Sequence, residues 1–204
     1  FFRQIEPRDR SVHLLFGGIY ATALEKFYKF RASGQPYEDA LRNTVAIAMS
    51  ASWDSDLGCS RTFDHPAKTR MNLIRTIIWY LEQYGHEDEG GLQTYHLADG
   101  TPAVELSFTL DFGDDLLYCG HLDRVASLGD SLFILDQKTT GGTIGPYFFT
   151  QFSPHNQMSG YSWAGSVILH SPIAGVIIDG AQIAQSFTRF ERGMTTRSKS
   201  QLEE

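Results

Sequence analysis

From residue 16 to residue 84 apolar side chains recur three and four positions apart. Ile19, Ala23, Leu24, Phe27 and Phe30 mark one face of a helix over residues 21–31 that ends near Ser33-Gly34. A second helix is expected over 37–51, with Leu41, Val45, Ala48 and Met49 inward. A third is expected over 67–84, with Met71, Ile74, Ile77, Ile78 and Leu81 inward. Residues 52–66, rich in Asp, Gly and Ser, read as a loop, and 85–91 as a polar turn. From residue 92 the period falls to two. Strands are expected over 92–98, 103–112, 116–126 and 132–139, with a turn at Gly113-Asp114-Asp115. A glycine-rich loop over 141–146, a helix from about 154 to 169, and a strand over 174–183 follow. Residues 185–192 are placed to pair with that last strand. Helices, then a meander, then a helix and a strand describe an α/β chain of the α+β kind. With no internal repeat or low-complexity linker, it reads as one domain over residues 1–204. Its helical part covers about 14–84 and its sheet and helix about 92–192.

Within the meander, Gly129-Asp130 joins two alternating apolar runs, as in a hairpin with glycine at the first position of a type II′ turn. A two-residue loop there pairs Leu128 with Ser131, and counting back sets Asp123 opposite Asp136. Asp136 and Lys138, two apart, share a face. Directly opposed residues have Cβ atoms roughly 4.5–5.5 Å apart. Carboxylates that close repel, and a divalent cation between them, with a lysine beside it, relieves the repulsion.

Gly120 to Asp123, then Asp136-Gln137-Lys138-Thr139, then Gln157 to Tyr161 follow one another in a fixed order. This series resembles the PD-(D/E)XK nuclease superfamily, and within it the RecB-like exonuclease branch, over about residues 14–192. The resemblance implies a restriction-endonuclease-like core, a central mixed sheet flanked by helices, with an N-terminal helical elaboration. It implies Asp123 and Asp136 as ligands of Mg²⁺ or Mn²⁺, and Lys138 as the group that orients water or stabilises charge on the phosphate. Glu105 stands where these enzymes often carry a further glutamate. Alternating with Val104 and Leu106, it is equally an ordinary half-exposed strand residue. Gln157 and Tyr161 share one helical face and are implied to touch DNA or fix the lysine. The Thr139 hydroxyl is placed to meet phosphate. The stretch from Gly17 to Glu25 matches the family's first helix, with Tyr20 where a metal-binding histidine often stands. That replacement implies one firmly held metal rather than two. His121 falls opposite Lys138 by the same count. His13, His65, His86, His96, His155 and His170 show no ligand spacing.

Composition bounds this reading. The chain has 204 residues, 42% of them hydrophobic and 20% charged, as expected of a water-soluble globular protein. No run approaches the ~18 apolar residues of a membrane span, and no signal peptide is evident, so a cytoplasmic setting is expected (a host cytoplasm if the chain is phage-encoded). It opens on Phe1-Phe2 rather than Met, and so reads as a fragment or an incomplete chain. Cys59 and Cys119 are too few for a disulfide framework or for an iron–sulfur cluster within the chain. A net charge of −7 argues against coating DNA by bulk electrostatics, although Arg189, Arg192, Arg197 and Lys199 form a local basic excess.

Two functions are carried forward. One is a Mg²⁺-dependent deoxyribonuclease acting on DNA ends or single strands in recombination, repair or phage DNA processing. Its expected partners are DNA and a helicase, recombinase or single-strand-binding protein, with no membrane. The other is a weakly active or inactive relative that binds nucleic acid or a protein, favoured by Tyr20 and by the acidic charge. A metal-dependent hydrolase of another substrate is a distant third.

Overall fold

The computed structural model describes residues 11–55, 58–60, 65–87, 91–153 and 155–195. Arg197 and Lys199, and the start of the last helix at Pro154, lie outside them.

The helices come first. α1 (Val12–Ala32) begins where the Ser11 hydroxyl accepts the N–H of His13, and ends at Ser33, before Gly34 at φ 86°. It reaches back nine residues before the expected start at residue 21, because Phe16, Ile19 and Tyr20 continue its buried stripe. α2 (Tyr37–Ala51) has the expected bounds. α3 (Arg70–Tyr84) starts three residues late, since the Thr69 hydroxyl caps it through the N–H of Asn72. The loop expected over 52–66 contains a small hairpin of β1 (Trp53–Asp54) and β2 (Cys59–Ser60). Two-residue strands leave no periodicity to read.

The sheet follows. β3 (Gln93–Thr94) and β4 (Val104–Asp111) both pair with β5 (Leu117–Leu128), which pairs antiparallel with β6 (Ser131–Thr140). A short α4 (Pro146–Thr150), inside the expected loop region, and α5 (Asn156–Leu169) lead to β7 (Ile173–Ile183). β7 runs parallel to β6 and antiparallel to β8 (Thr188–Thr195). The sheet is therefore mixed, in the order β3-β5-β6-β7-β8 with β4 also on β5, and the class is α+β. The Gly129-Asp130 loop is as expected. Leu128 pairs with Ser131, and Gly129 sits at φ 57°.

Two apolar clusters cover the two faces. Phe16, Leu24, Phe27, Leu73, Ile77 and Leu81 of α1 and α3 pack with Ala181 and Ile183 on one face. Met158 and Ala164 of α5 pack with Phe108, Leu122, Ile134, Val176 and Ile178 on the other. Alternation puts Asp136 and Lys138 on the α5 side with Ile134, and Asp179 on the α1/α3 side. Among the described residues no helix is long and apolar enough to cross a membrane. Cys59 and Cys119 are both exposed and unpaired.

Candidate functional site

β4 and β5 change faces at one row. Val104 and its partner Arg124 lie toward α1, where Val104 joins the helical cluster and the Arg124 guanidinium stacks 3.9 Å from the centre of the Tyr28 ring. Two residues along, Leu106 and its partner Leu122 lie toward α5. The row between them holds Glu105 and Asp123. Glu105 has φ 52°, a left-handed conformation rare for a residue with a side chain, and this is what inverts the strand. The expected strict alternation through Asp123 therefore fails.

Beyond this row the β5–β6 ladder stops at Arg124–Leu135. The Asp123–Asp136 pair of the sequence count is not a backbone pair. The Asp123 side chain takes the place of the backbone there, its Oδ2 accepting the N–H of Gln137 at 2.9 Å. That bond holds the Asp123 carboxylate against β6, near Asp136. Burial raises the Asp123 carboxyl to about 6, with the neighbouring Asp136 charge adding to the rise and the Gln137 N–H opposing it. Asp136 is 1% exposed. Burial raises its pKa too, and the Lys138 ammonium and His155 oppose the rise. Lys138 Nζ stands 2.5 Å from Asp136 Oδ2, a charge-assisted contact that holds the buried carboxylate.

α5 closes the site from one side. Gln157 Nε2 donates to Tyr161 Oη at 2.9 Å across one helical turn. Burial raises the Tyr161 phenol, the Gln157 bond opposes it, and the Asp136 and Asp123 charges raise it further. The phenol is therefore within electrostatic reach of both carboxylates. His155 caps this helix, its Nδ1 accepting the N–H of Gln157. Its effect on Asp136 could not be read from the sequence, because the two belong to different elements.

Glu105 shares a row with Asp123, and its charge acts on that carboxyl. Burial is the main cause that raises the pKa of Glu105, and the charge of Glu25 on α1 adds to the rise. Glu25 is held by Lys29 at 2.8 Å and Lys26 at 3.1 Å. Carboxylates from α1, β4, β5 and β6 thus follow one another as Glu25, Glu105, Asp123 and Asp136. Glu25 was missed as a site residue, although it ends the Gly17–Glu25 stretch singled out in the sequence. His121 is exposed, with Nδ1 2.9 Å from Ser107 Oγ, and its charge acts on Glu105.

Two expected site residues lie elsewhere. Tyr20 is 1% exposed and T-stacked on Tyr80 at 5.9 Å, on the Asp179 side of the sheet. Burial and the Asp179 charge hold its phenol well above the ordinary range. Tyr20 therefore does not stand in the place of a metal ligand. It lines a buried network in which Tyr80 Oη donates to Asp179 and Arg192 pairs with Asp179 at 3.1 Å. Thr139 turns toward α1, its hydroxyl 3.4 Å from where a Cβ on Gly17 would sit.

Among the described residues no group of three or more His, Cys, Asp or Glu side chains forms a ready-made metal cage. The chemistry of the pair still suits a hard divalent cation. Asp123 and Asp136 offer oxygen donors only, and they repel each other.

No family model matches the chain, and no curated protein matches it. Solved structures with some likeness to it include the crystal structure of SSO0001, at 12% identity over 96% of this chain and 83% of that one. Its TM-score is 0.35, too low to inform either fold or function, which leaves both to be argued from this chain's own residues.

Proposed function

We propose that the chain is a metal-dependent nuclease of the PD-(D/E)XK type, closest in its motifs to the RecB-like exonucleases, that hydrolyses phosphodiester bonds of DNA. The observation that carries this reading is the meeting of Asp123, Asp136, Lys138 and Tyr161 from three elements around one buried, mutually repelling carboxylate pair. A structural ion pair would need one carboxylate for Lys138, and the second would only add cost.

Asp123 and Asp136 would hold Mg²⁺ or Mn²⁺, which supplies a polarised phosphate and a water of lowered pKa. Lys138 contributes a positive charge beside Asp136, where negative charge gathers on the phosphoryl oxygens. The Gln157–Tyr161 bond fixes the phenol as a donor at the rim of the site. Gln137 holds Asp123 through its N–H, so the carboxylate cannot swing away when the pair is charged. Glu105 contributes a third carboxylate behind Asp123. The test is cleavage of labelled single- and double-stranded DNA with and without Mg²⁺, by the wild type and by Lys138→Ala. Metal-dependent cleavage that falls at least 100-fold in the variant is expected. Absence of cleavage by the wild type on both substrates, or an unimpaired variant, would remove the proposal.

A further inference from the structure

We propose that the tip of the β4–β5 hairpin and the outer face of α5 form a docking surface for a basic segment of a partner protein that carries an aromatic or leucine anchor. This surface does not depend on the nuclease reading.

A surface helix ordinarily carries charged residues on its solvent face, but none of the 14 residues of α5 is charged. Its inner face packs through Met158 and Ala164, while Trp163 and Val167, four apart, face solvent. The hairpin sets more apolar surface beside them. Phe112, Leu116 and Leu117 are each more than half exposed. The Phe112 ring stacks on Trp163, with centres 5.3 Å apart and planes 20° from parallel. Tyr118 meets the same indole at 6.2 Å. Phe112, Leu116, Leu117, Tyr118 and Trp163 line one open depression of about 360 Å³. Single exposed apolar residues are normal, but a contiguous group of them marks an interaction surface.

The surface is held in place before anything binds. The Phe112 N–H donates to the Leu116 carbonyl and the Leu116 N–H to the Gly113 carbonyl, both at 2.9 Å. The Gly113 N–H donates to Asp111 Oδ1 at 2.8 Å. Where the hairpin meets α5, the Tyr118 hydroxyl lies against Gly160, and a Cβ there would stand 2.2 Å from it. Little ordering is left for a partner to impose.

Charge selects the occupant. Asp111, Asp114 and Asp115 interleave with the apolar residues along the tip, and all three are exposed. Residues 106–118 and α5 include no Lys or Arg. Among the described residues none of the three aspartates is in an ion pair. A second copy docking about a two-fold axis would set three aspartates against three. Nucleic acid would bring phosphates to carboxylates with no cation to receive them. A segment with Lys or Arg flanking an aromatic or leucine side chain gives the aspartates partners and the depression an anchor. The chain's net charge of −7 attracts the same basic partner at longer range.

The test selects random twelve-residue peptides, displayed on phage, against the wild type after depletion on Phe112→Ser. Leu117→Ser takes that place if Phe112→Ser does not fold. Enriched peptides should carry net positive charge and an aromatic or leucine residue. The leading peptide, labelled with fluorescein, is then titrated by anisotropy. Phe112→Ser should weaken its binding about 10-fold or more. Asp114→Asn combined with Asp115→Asn retains the turn, because Asn tolerates the positive φ of both positions. It should weaken binding about 3-fold or more and flatten the salt dependence. No enrichment, acidic or neutral enriched peptides, or unchanged affinity in both variants would overturn the proposal. A wild-type dimer in sedimentation velocity that Phe112→Ser dissociates would also overturn it, giving the face to a second copy. Binding of a labelled twelve-residue oligothymidylate that Phe112→Ser abolishes would overturn it in favour of nucleic acid.

Discussion

Replacing Asp123 by Asn should make the metal-free protein more stable at neutral pH. In the folded chain this carboxyl is raised from 3.8 to about 6, chiefly by burial and then by Asp136. A group whose folded pKa lies above its unfolded value favours folding while it is protonated and opposes it once ionised. The penalty is absent below about pH 4, grows between about 4 and 6, and is complete above 6. From 3.8 to about 6 is about 2.2 pH units, and at about 1.36 kcal/mol each the full penalty is at most about 3 kcal/mol. Asn keeps the acceptor that the Gln137 N–H needs and removes the charge. For a chain of this size 1 kcal/mol moves the melting temperature by roughly 2–4 °C, so a rise of about 5 °C or more is expected in EDTA at pH 7.5. The gain should shrink on going to pH 5, where the wild-type carboxyl takes up its proton. Mg²⁺ should stabilise the wild type and leave the variant nearly unmoved. Melts by circular dichroism at both pH values, with EDTA and with Mg²⁺, read all of this. A variant that melts below the wild type in EDTA at pH 7.5 would refute the claim that the pair is strained.

Three further outcomes follow from the packing. Arg192→Leu leaves Asp179 charged at a buried position and should cost about 3–5 kcal/mol in denaturant unfolding. Gly193→Ala would put a Cβ 2.2 Å from Cδ1 and 2.4 Å from Cγ of the Phe149 ring. It should displace α4 and cost about 1–3 kcal/mol, seen as a lower midpoint in urea. Tyr161→Phe should leave the melting temperature within about 2 °C of wild type while lowering any cleavage rate several-fold, as a phenol acting at the site rim requires.

The hairpin was legible because its signals are local. Gly129 supplies the positive φ that the turn needs, and the alternating runs on either side leave only one register. The three N-terminal helices were legible from their apolar spacing, although Met49 and Met71, read as inward, are exposed, and the pairing of β8 was legible from its neighbourhood with β7. The β1–β2 hairpin and the five-residue α4 escaped because such short elements have no period. The site was legible in its members more than in its geometry. Counting by twos cannot foresee a left-handed residue, so the face change at Glu105 and Asp123 was invisible. Tyr20 shows the opposite error. Alignment of a motif gives a position along a helix, but the packing of Tyr80 and Asp179 decides where the side chain goes. Asp179 read as a strand residue and Arg192 as part of a local basic excess, and only the fold pairs them, on the α1/α3 side of the sheet.

Glu105 offers a way to separate backbone strain from charge. Its φ of 52° costs a residue with a Cβ about 1 kcal/mol or more, while glycine adopts it freely. Its carboxyl is raised by burial and by Glu25, so its charge also opposes folding once it ionises. Glu105→Ala removes the charge and keeps the strain, and Glu105→Gly removes both. If the left-handed turn is what swings Asp123 between the two faces, the glycine variant should be more stable than the alanine variant by about 1 kcal/mol. That gap should be the same at pH 5 and pH 8, because strain does not titrate. The gap between alanine and wild type should instead widen with pH. Urea unfolding of the three proteins at both pH values measures each difference. An alanine variant as stable as the glycine variant would mean that β4 does not hold residue 105 in this conformation. The face change, and with it the placing of Asp123 beside Asp136, would then need another cause.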